Sequence, residues 1–147
     1  MNNLINNDDL VSRKSLLIIQ AQFQQAVGQS AEAVRHFLEA ALLEERIANN
    51  FRQTGNADDA AISLFSAASC YKQAGDVAKA IALTDEAMKL TQSENFLAEM
   101  LDFRSECEQA LHSTGQRTLR GIVRNGAVYP FEPGVLAEGQ LVTITAA

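Results

Sequence analysis

Two Glu-x3-His pairs come closest to a catalytic or metal-binding motif in this 147-residue sequence. Glu32 precedes His36 and Glu108 precedes His112, in each case by four residues. On a helix this spacing places both side chains on one face. Di-metal sites in helical bundles instead use a Glu-x-x-His spacing together with further inward-facing glutamates, and such additional carboxylates are not evident in this sequence. We therefore predict that both pairs are surface helix pairs and that the chain binds no metal and no cofactor.

Adjacent acidic residues are the second arrangement that could support acid–base chemistry. They occur at Asp8-Asp9, Glu44-Glu45, Asp58-Asp59 and Asp85-Glu86. Neighbouring helical residues point about 100° apart, so these carboxylates do not face each other as an acid/base pair. We predict that they lie at helix starts or on solvated faces. Because the glycines form no phosphate-binding loop and the serines lack the context of a nucleophile elbow, we predict that the protein is not an enzyme.

Three arginines, Arg117, Arg120 and Arg124, form a small basic cluster towards the C-terminus. In a strand, Arg120 and Arg124 would share one face with Ile122. They could bind an anion or an acidic partner helix, or they could be solvated edge-strand charges that discourage misassembly, and we favour the second alternative.

The charge distribution argues against two classes of partner. The net charge is −6, with sixteen acidic and nine basic side chains in residues 1–114 and two acidic and three basic ones in residues 115–147. Because nucleic acid phosphates and anionic membranes repel an acidic surface, we predict neither as a partner. No apolar run approaches the roughly 20 residues of a membrane helix. Cys70 and Cys107 show no pairing pattern, which favours a reducing, cytoplasmic setting.

A glycine pattern that occurs three times predicts a stack of antiparallel helices. It reads Gly28-Ala33-Phe37-Ala40, Gly55-Ala60-Leu64-Ala67 and Gly75-Ala80-Thr84-Ala87. Glycine readily adopts the left-handed conformation that ends a helix, and the alanines let the next helix pack closely. The five predicted helices run from Asp8 to about Val27, from a Ser30 cap to Thr54, from an Asn56 cap to Gly75, from Asp76 to Leu90, and from a Thr91–Glu94 capping box to about Leu111.

From Thr118 onward the residue types favour β structure. Asn125-Gly126 is a strong hairpin signal, and a two-residue turn there would pair Arg124 with Ala127, Val123 with Val128 and Ile122 with Tyr129. Pro130 and Pro133 would end this pairing, and Gly139 precedes a third strand at 141–145. The predicted fold is therefore mainly α, with about five antiparallel helices in residues 1–114 and a small three-stranded β appendage in residues 115–147.

Residues 61–90 resemble a tetratricopeptide repeat. The packing positions of that family are occupied by Leu64, Ala67, Ala68, Tyr71, Gly75, Ala80 and Ala87, and the first two helices match through Leu17, Ala21, Ala33, Phe37 and Ala40. The resemblance implies helix pairs stacked into a superhelix, usually a scaffold for protein partners. Phe65 and Ser69 stand where the family has its peptide-binding Lys and Asn, so no peptide-binding residue is carried over.

The segment from Leu119 to Thr145 resembles the short β-rich proteins that are assigned as antitoxins in prokaryotic toxin–antitoxin loci. The shared features are Gly121-Ile122-Val123 before Asn125-Gly126, then Glu132-Pro133, and Glu138-Gly139 before the last strand. The resemblance implies strands that pair between chains and a prokaryotic origin.

We interpret the chain as a cytoplasmic, non-catalytic scaffold or adaptor for protein–protein contacts, with the β tail as its self-association or docking element. An antitoxin-type regulator that neutralises a partner toxin is the alternative. The tail has too few apolar residues to fold alone, so we expect it to order against a second surface, by homodimerisation through its strands or by docking on the helices. The predicted contact residues are Arg120, Ile122, Arg124, Val128, Tyr129, Phe131, Val142 and Ile144.

Overall fold

The chain is mainly α-helical. The computed structural model describes residues 6–113 and 121–131. Its helices are α1 (Asn7–Ala26), α2 (Ser30–Gln53), α3 (Ala57–Gln73), α4 (Val77–Leu90) and α5 (Glu94–Ser113), and its strands are β1 (Gly121–Arg124) and β2 (Ala127–Pro130). The helices lie in one compact unit, Met1–Thr114, and the strands lie in another, Gly115–Ala147. The predicted mainly α fold with five helices is confirmed. Of the three predicted strands, two occur within the described residues, and the third, at 141–145, lies outside them.

Turns of one type connect α1 to α2, α2 to α3 and α3 to α4. In the third of them, Asp76 donates its N–H to the carbonyl oxygen of Tyr71 at 2.9 Å, and Gly75 donates to that of Lys72 at 3.0 Å. Two such bonds define a Schellman motif, which places a left-handed residue at the glycine position. Because Gly28, Gly55 and Gly75 have φ of 82°, 79° and 89°, the glycine turns predicted from the sequence are confirmed.

The helix caps agree with the sequence only in part. Asp76 caps α4 as predicted, since its carboxylate accepts a backbone N–H of the first turn at 3.1 Å. The predicted Ser30 cap is wrong, because Ser30 is the first helical residue of α2 and Gln29 occupies the cap position. At the start of α5 the side chain that accepts a first-turn N–H is that of Ser93, not the predicted Thr91. A cap must directly precede the first helical residue, so the turn geometry decides which of two nearby candidates is used.

Neighbouring helices pack side by side in the order of the chain. Contacts at both ends of the α1–α2 pair show that it is antiparallel. Asn50, near the end of α2, donates to Asn7 at the start of α1 at 2.7 Å, while His36, near the start of α2, contacts Gln24 near the end of α1 at 2.6 Å. The remaining connections are also three residues long, so each following helix reverses direction in turn.

Small side chains let these helices approach closely, because a methyl group fills the interface without separating the axes. The alanines without exposed surface are Ala21, Ala40, Ala41, Ala48, Ala60, Ala61, Ala67, Ala68, Ala80 and Ala87. Thr84 occupies the position of a larger residue in the third glycine pattern. It is fully buried, and its hydroxyl donates to the carbonyl oxygen of Ala80 at 2.8 Å, so its polar group is satisfied within α4.

Aromatic rings also connect α3 to α5. The ring of Phe65 lies edge-on to the rings of Phe96 and Phe103, with centroid distances of 5.5 and 5.0 Å. Nζ of Lys72 in α3 lies 5.0 Å from the centroid of the Phe103 ring and 2.8 Å from Oε2 of Glu106 in α5. The stack therefore has contacts between alternate helices as well as between neighbours, which is how helix pairs form an extended layer.

Candidate functional site

The hairpin that carries the predicted contact residues turns at Asn125-Gly126, as the sequence indicates. These two residues have φ of 52° and 77°, the left-handed conformations that a tight two-residue turn requires. The Cα partners across the strands are Gly121 and Pro130, Ile122 and Tyr129, Val123 and Val128, and Arg124 and Ala127. The predicted register is confirmed. It fixes which side chains share a face, because alternate residues of a strand point to opposite faces.

Both faces of the hairpin carry exposed apolar side chains. One face carries Ile122, Arg124, Ala127 and Tyr129, and the other carries Gly121, Val123, Val128 and Pro130. The exposed fractions are 64% for Val123, 54% for Tyr129 and 63% for Phe131, which follows β2. Two four-residue strands do not bury these side chains against each other, since cross-strand neighbours lie side by side on one face. The hairpin therefore presents apolar surface that a second surface could cover.

The structure places five of the eight predicted contact residues in this hairpin. Ile122, Arg124 and Tyr129 share one face, Val128 lies on the other, and Phe131 follows the end of β2. The three others, Arg120, Val142 and Ile144, lie outside the described residues, as does Arg117.

Gly121 is a hairpin residue whose role the sequence analysis missed. A Cβ atom at this position would lie 2.6 Å from the carbonyl oxygen of Tyr129 and 3.0 Å from the Cα of Pro130. Both are backbone atoms, so a larger residue at position 121 would push β1 and β2 apart. The signal in the sequence was a glycine within a β-favouring run, which often marks a close approach of two backbones.

One member of each Glu-x3-His pair has another partner in the described helices. His36 Nδ1 lies 2.6 Å from Gln24 Oε1, while Glu32 is exposed at the start of α2. Glu108 accepts a hydrogen bond from Arg104 within α5. In residues 6–113 and 121–131, no group of three or more His, Cys, Asp or Glu side chains is placed to hold a metal ion.

Glu44 contradicts the prediction that the adjacent acidic residues lie at helix starts or on solvated faces. It lies in the middle of α2, only 2% exposed, with Oε1 2.7 Å from Lys14 Nζ of α1. Burial raises the pKa of this carboxyl, and the hydrogen bond and charge of Lys14 oppose that shift. Burial, followed by the Glu44 charge, raises the pKa of the neighbouring Cys70 thiol in α3 to about 11. This buried cluster connects three helices and contains no ionised thiol that could act as a nucleophile at neutral pH.

Glu45 connects the next set of helices. The hydroxyl of Tyr71 in α3 donates to Glu45 Oε1 at 2.6 Å, and Lys79 Nζ of α4 lies 3.8 Å from Glu45 Oε2. Burial and the hydrogen bond to Glu45 raise the pKa of Tyr71. This tyrosine is therefore a neutral hydrogen-bond donor in the helical stack at neutral pH.

An open depression of about 390 Å³ lies where α3 begins and α4 ends. Its lining residues are Gly55, Asn56, Ala57, Asp58, Asp59, Leu90 and Gln92. Asp58 and Asp59 are exposed in the first turn of α3, as predicted for that acidic pair, and Asp58 accepts the backbone N–H of Gln92 at 3.4 Å. Two solvated carboxylates at a helix start are explained by the helix dipole.

None of the helices in the described part of the chain is both long and apolar enough to cross a bilayer. No protein-family model matches the chain, and no curated protein matches it. The resemblances to tetratricopeptide repeats and to antitoxin-like segments therefore stay predictions.

Proposed function

We propose that the chain is a non-catalytic scaffold or adaptor for protein–protein contacts whose C-terminal hairpin mediates self-association into a homodimer. The observation that supports this most directly is the exposure of large apolar side chains on both faces of the hairpin, above all Val123, Tyr129 and Phe131. Large apolar side chains that are exposed close together typically mark an interaction site.

The hairpin edges provide the means of association. Among the described residues β1 and β2 pair only with each other, so within that part of the chain each strand has one edge whose backbone donors and acceptors are unpaired. An isolated two-stranded hairpin is at best marginally stable in water, and pairing with the same edge of a second copy would double the number of strands. The arrangement would be isologous, because the same residues contribute from both chains.

The helical unit supports a structural role over a catalytic one. Its polar side chains connect helices, as in Lys14–Glu44, Tyr71–Glu45 and Lys72–Glu106. Both cysteines are free and buried, and burial raises the pKa of each thiol. The two thiols are thus held in the neutral state and these three carboxylates in interhelical contacts, which fits a rigid scaffold.

Light scattering on the full chain tests the self-association. At low protein concentration we expect a molar mass of twice the 16.0 kDa of one chain, and a return to 16.0 kDa when the cross-strand pair is replaced in the Ile122→Glu/Tyr129→Glu variant. Gly121→Val disrupts the hairpin by a different route and should have the same effect. Leu42→Glu is the matched control, because Leu42 is a 61% exposed apolar residue on α2, outside the hairpin.

A wild-type mass of 16.0 kDa at every concentration, or hairpin variants with an unchanged oligomeric mass, would refute self-association through the hairpin. Stoichiometric recovery of a small toxic protein with the chain after expression from its own genomic locus would instead support the antitoxin-type alternative. That complex would have to dissociate in the hairpin variants, because the resemblance to antitoxins lies in this segment.

A further inference from the structure

The first helix carries an apolar surface that the other described elements leave open. Leu16, Ile19, Phe23 and Val27 are 57%, 63%, 66% and 53% exposed. Their spacing of three, four and four residues aligns them along one face of the helix and its C-cap. We call these four residues the α1 outer face. The buried residues of the same helix, Leu10, Leu17 and Ala21, lie on the opposite side and pack into the stack, so α1 is apolar on two sides.

The α1 outer face is also free of charge. Residues 15–31 contain no Asp, Glu, Lys, Arg or His, in a chain of which 20% of the residues are charged. A solvated helix face normally carries charged residues. Depletion of charge around large apolar side chains is instead the compositional signature of the centre of a protein–protein interface. The face therefore has the composition of a surface that another protein covers.

The spacing of the four residues makes the face complementary to itself. Two copies of α1 can pack antiparallel through their outer faces about a twofold axis that crosses the helices at the level of residue 21. Leu16 of one copy then lies opposite Val27 of the other, and Ile19 lies opposite Phe23. Every large side chain of the face then has an apolar counterpart. The twofold axis of such a pair runs across the helices, since only that axis reverses their direction.

Two charges beside the face favour a second copy over an unrelated partner. His36 contacts Gln24, so the side of α2 that carries Glu32 and His36 borders α1 at Gln24. Arg13 precedes Gln24 by eleven residues, or about three helical turns, and so lies along the same border. Arg13 and Glu32 thus mark opposite ends of one flank of the α1 outer face. Both are exposed, and neither forms an ion pair within the described residues.

A twofold axis across the helices keeps this flank on the same side in both copies and reverses its direction. Arg13 of each copy then approaches Glu32 of the other, which gives two symmetry-related pairs of opposite charge. We propose that the α1 outer face is a homodimer interface, formed by antiparallel packing of α1 against α1 of a second copy and flanked by Arg13–Glu32 pairs. This interface is separate from the hairpin and does not rest on its role.

The size of the face predicts a weak interaction. A 20-residue helix is about 30 Å long and about 10 Å wide, so α1 offers a footprint of about 300 Å² per copy. Stable dimers bury about 800 Å² per partner, and interfaces at the low end of the size range are weak and transient. The dimer should therefore depend on concentration, with a dissociation constant in the micromolar range or above.

Sedimentation of the Ile122→Glu/Tyr129→Glu hairpin variant, over concentrations up to about 1 mM, measures this dissociation constant without the hairpin contact, and the substitutions below are made in that background. The variant Ile19→Glu/Phe23→Glu places four carboxylates in the paired face, and we expect its dissociation constant to rise at least tenfold, equivalent to about 1.4 kcal/mol. Leu42→Glu again provides the control for an exposed apolar residue on another helix. Circular dichroism would show that the variant keeps its helices, which is expected because Ile19 and Phe23 are mostly exposed.

A charge swap tests the partner and the orientation. Arg13→Glu and Glu32→Arg should each weaken self-association, and the double variant should restore it, because both pairs re-form with reversed sign. Only a contact between two copies in the antiparallel orientation predicts this restoration. A hairpin variant that is monomeric up to about 1 mM, an unchanged dissociation constant after Ile19→Glu/Phe23→Glu, or a double charge variant as weak as the single ones would overturn the inference. In the first case the hairpin proposal can still stand, because the hairpin contact is tested at low concentration and the α1 contact at high concentration.

Discussion

Replacing Lys14 with methionine should destabilise the helical unit strongly at neutral pH and less at mildly acidic pH. Glu44 is 2% exposed, and Lys14 Nζ, 2.7 Å from its Oε1, compensates its charge. Removal of one member of a buried ion pair leaves the other charge desolvated, which costs about 3–5 kcal/mol. Because the Lys14 side chain is 20% exposed, we expect a loss of about 3 kcal/mol, at the low end of this range. At about 4 °C per kcal/mol for a unit of this size, Tm should fall by about 12 °C.

The pH dependence follows from the direction of the pKa shift. Burial raises the pKa of Glu44 above its ordinary value of 4.5, so the folded state binds this proton more tightly than the unfolded state does. Stability then falls as pH rises from about 4.5 through the raised pKa, and it is regained on acidification. Since Lys14 lowers the pKa of Glu44, its removal raises that pKa further and widens the pH window. The variant should therefore recover part of its lost stability as the pH is lowered from 7 towards 5, because protonation neutralises the buried Glu44 carboxyl in the folded state.

Urea unfolding followed by far-UV circular dichroism at pH 7 and pH 5 measures both effects. Lys89→Met is the matched control, since Lys89 is exposed in the last turn of α4, and it should change the free energy of unfolding by about 0.5 kcal/mol or less. Adding Glu44→Gln to Lys14→Met should restore part of the stability at pH 7 and remove the extra pH dependence. A Lys14→Met variant as stable as the wild type at pH 7, or equally destabilised at both pH values, would refute the reasoning.

Two further predictions concern local features of the helical unit. Gly75→Val should lower the free energy of unfolding by about 1 kcal/mol or more, because a β-branched residue resists the φ of 89° even though a Cβ would meet no atom within 4 Å. Gly75→Asn should destabilise the unit less, since asparagine tolerates this conformation better. Equal unfolding midpoints for Gly75→Val and the wild type would contradict the assigned turn. Cys70 is buried and its pKa is raised to about 11, so in a Cys107→Ala background it should react with a thiol reagent at pH 8 only after unfolding in urea. Rapid labelling of Cys70 in the folded chain would contradict its burial.

Local chemistry accounts for the features that the sequence predicted correctly. The glycine turns at Gly28, Gly55 and Gly75 depend on a backbone conformation that glycine adopts at little cost, so each could be identified from its own few residues. The hairpin register follows in the same way from Asn125-Gly126, because a two-residue turn leaves one way to pair the adjoining strands. Helix number and hairpin pairing were therefore determined by short segments of the chain.

Features that depend on packing between segments could not be predicted in this way. Glu44 resembles any acidic residue of a helix until α1 places Lys14 beside it, and the two are thirty positions apart in the sequence. The choice of Ser93 over Thr91 as the α5 cap depends on where the α4–α5 turn ends. Gly121 is needed only because β2 brings the backbone of Tyr129 within 2.6 Å of a Cβ at that position.

The candidate interaction surfaces show the same division. That α1 is a helix with many apolar residues, and that the hairpin carries Val123, Val128 and Tyr129, could be predicted from residue types alone. Which of the α1 residues are covered depends on helix packing, which turns Leu17 and Ala21 towards the stack and leaves Ile19 and Phe23 facing solvent. The physical reason is that hydrophobicity does not depend on position, whereas exposure depends on which neighbour covers each face of an element, and that neighbour is supplied by distant parts of the chain.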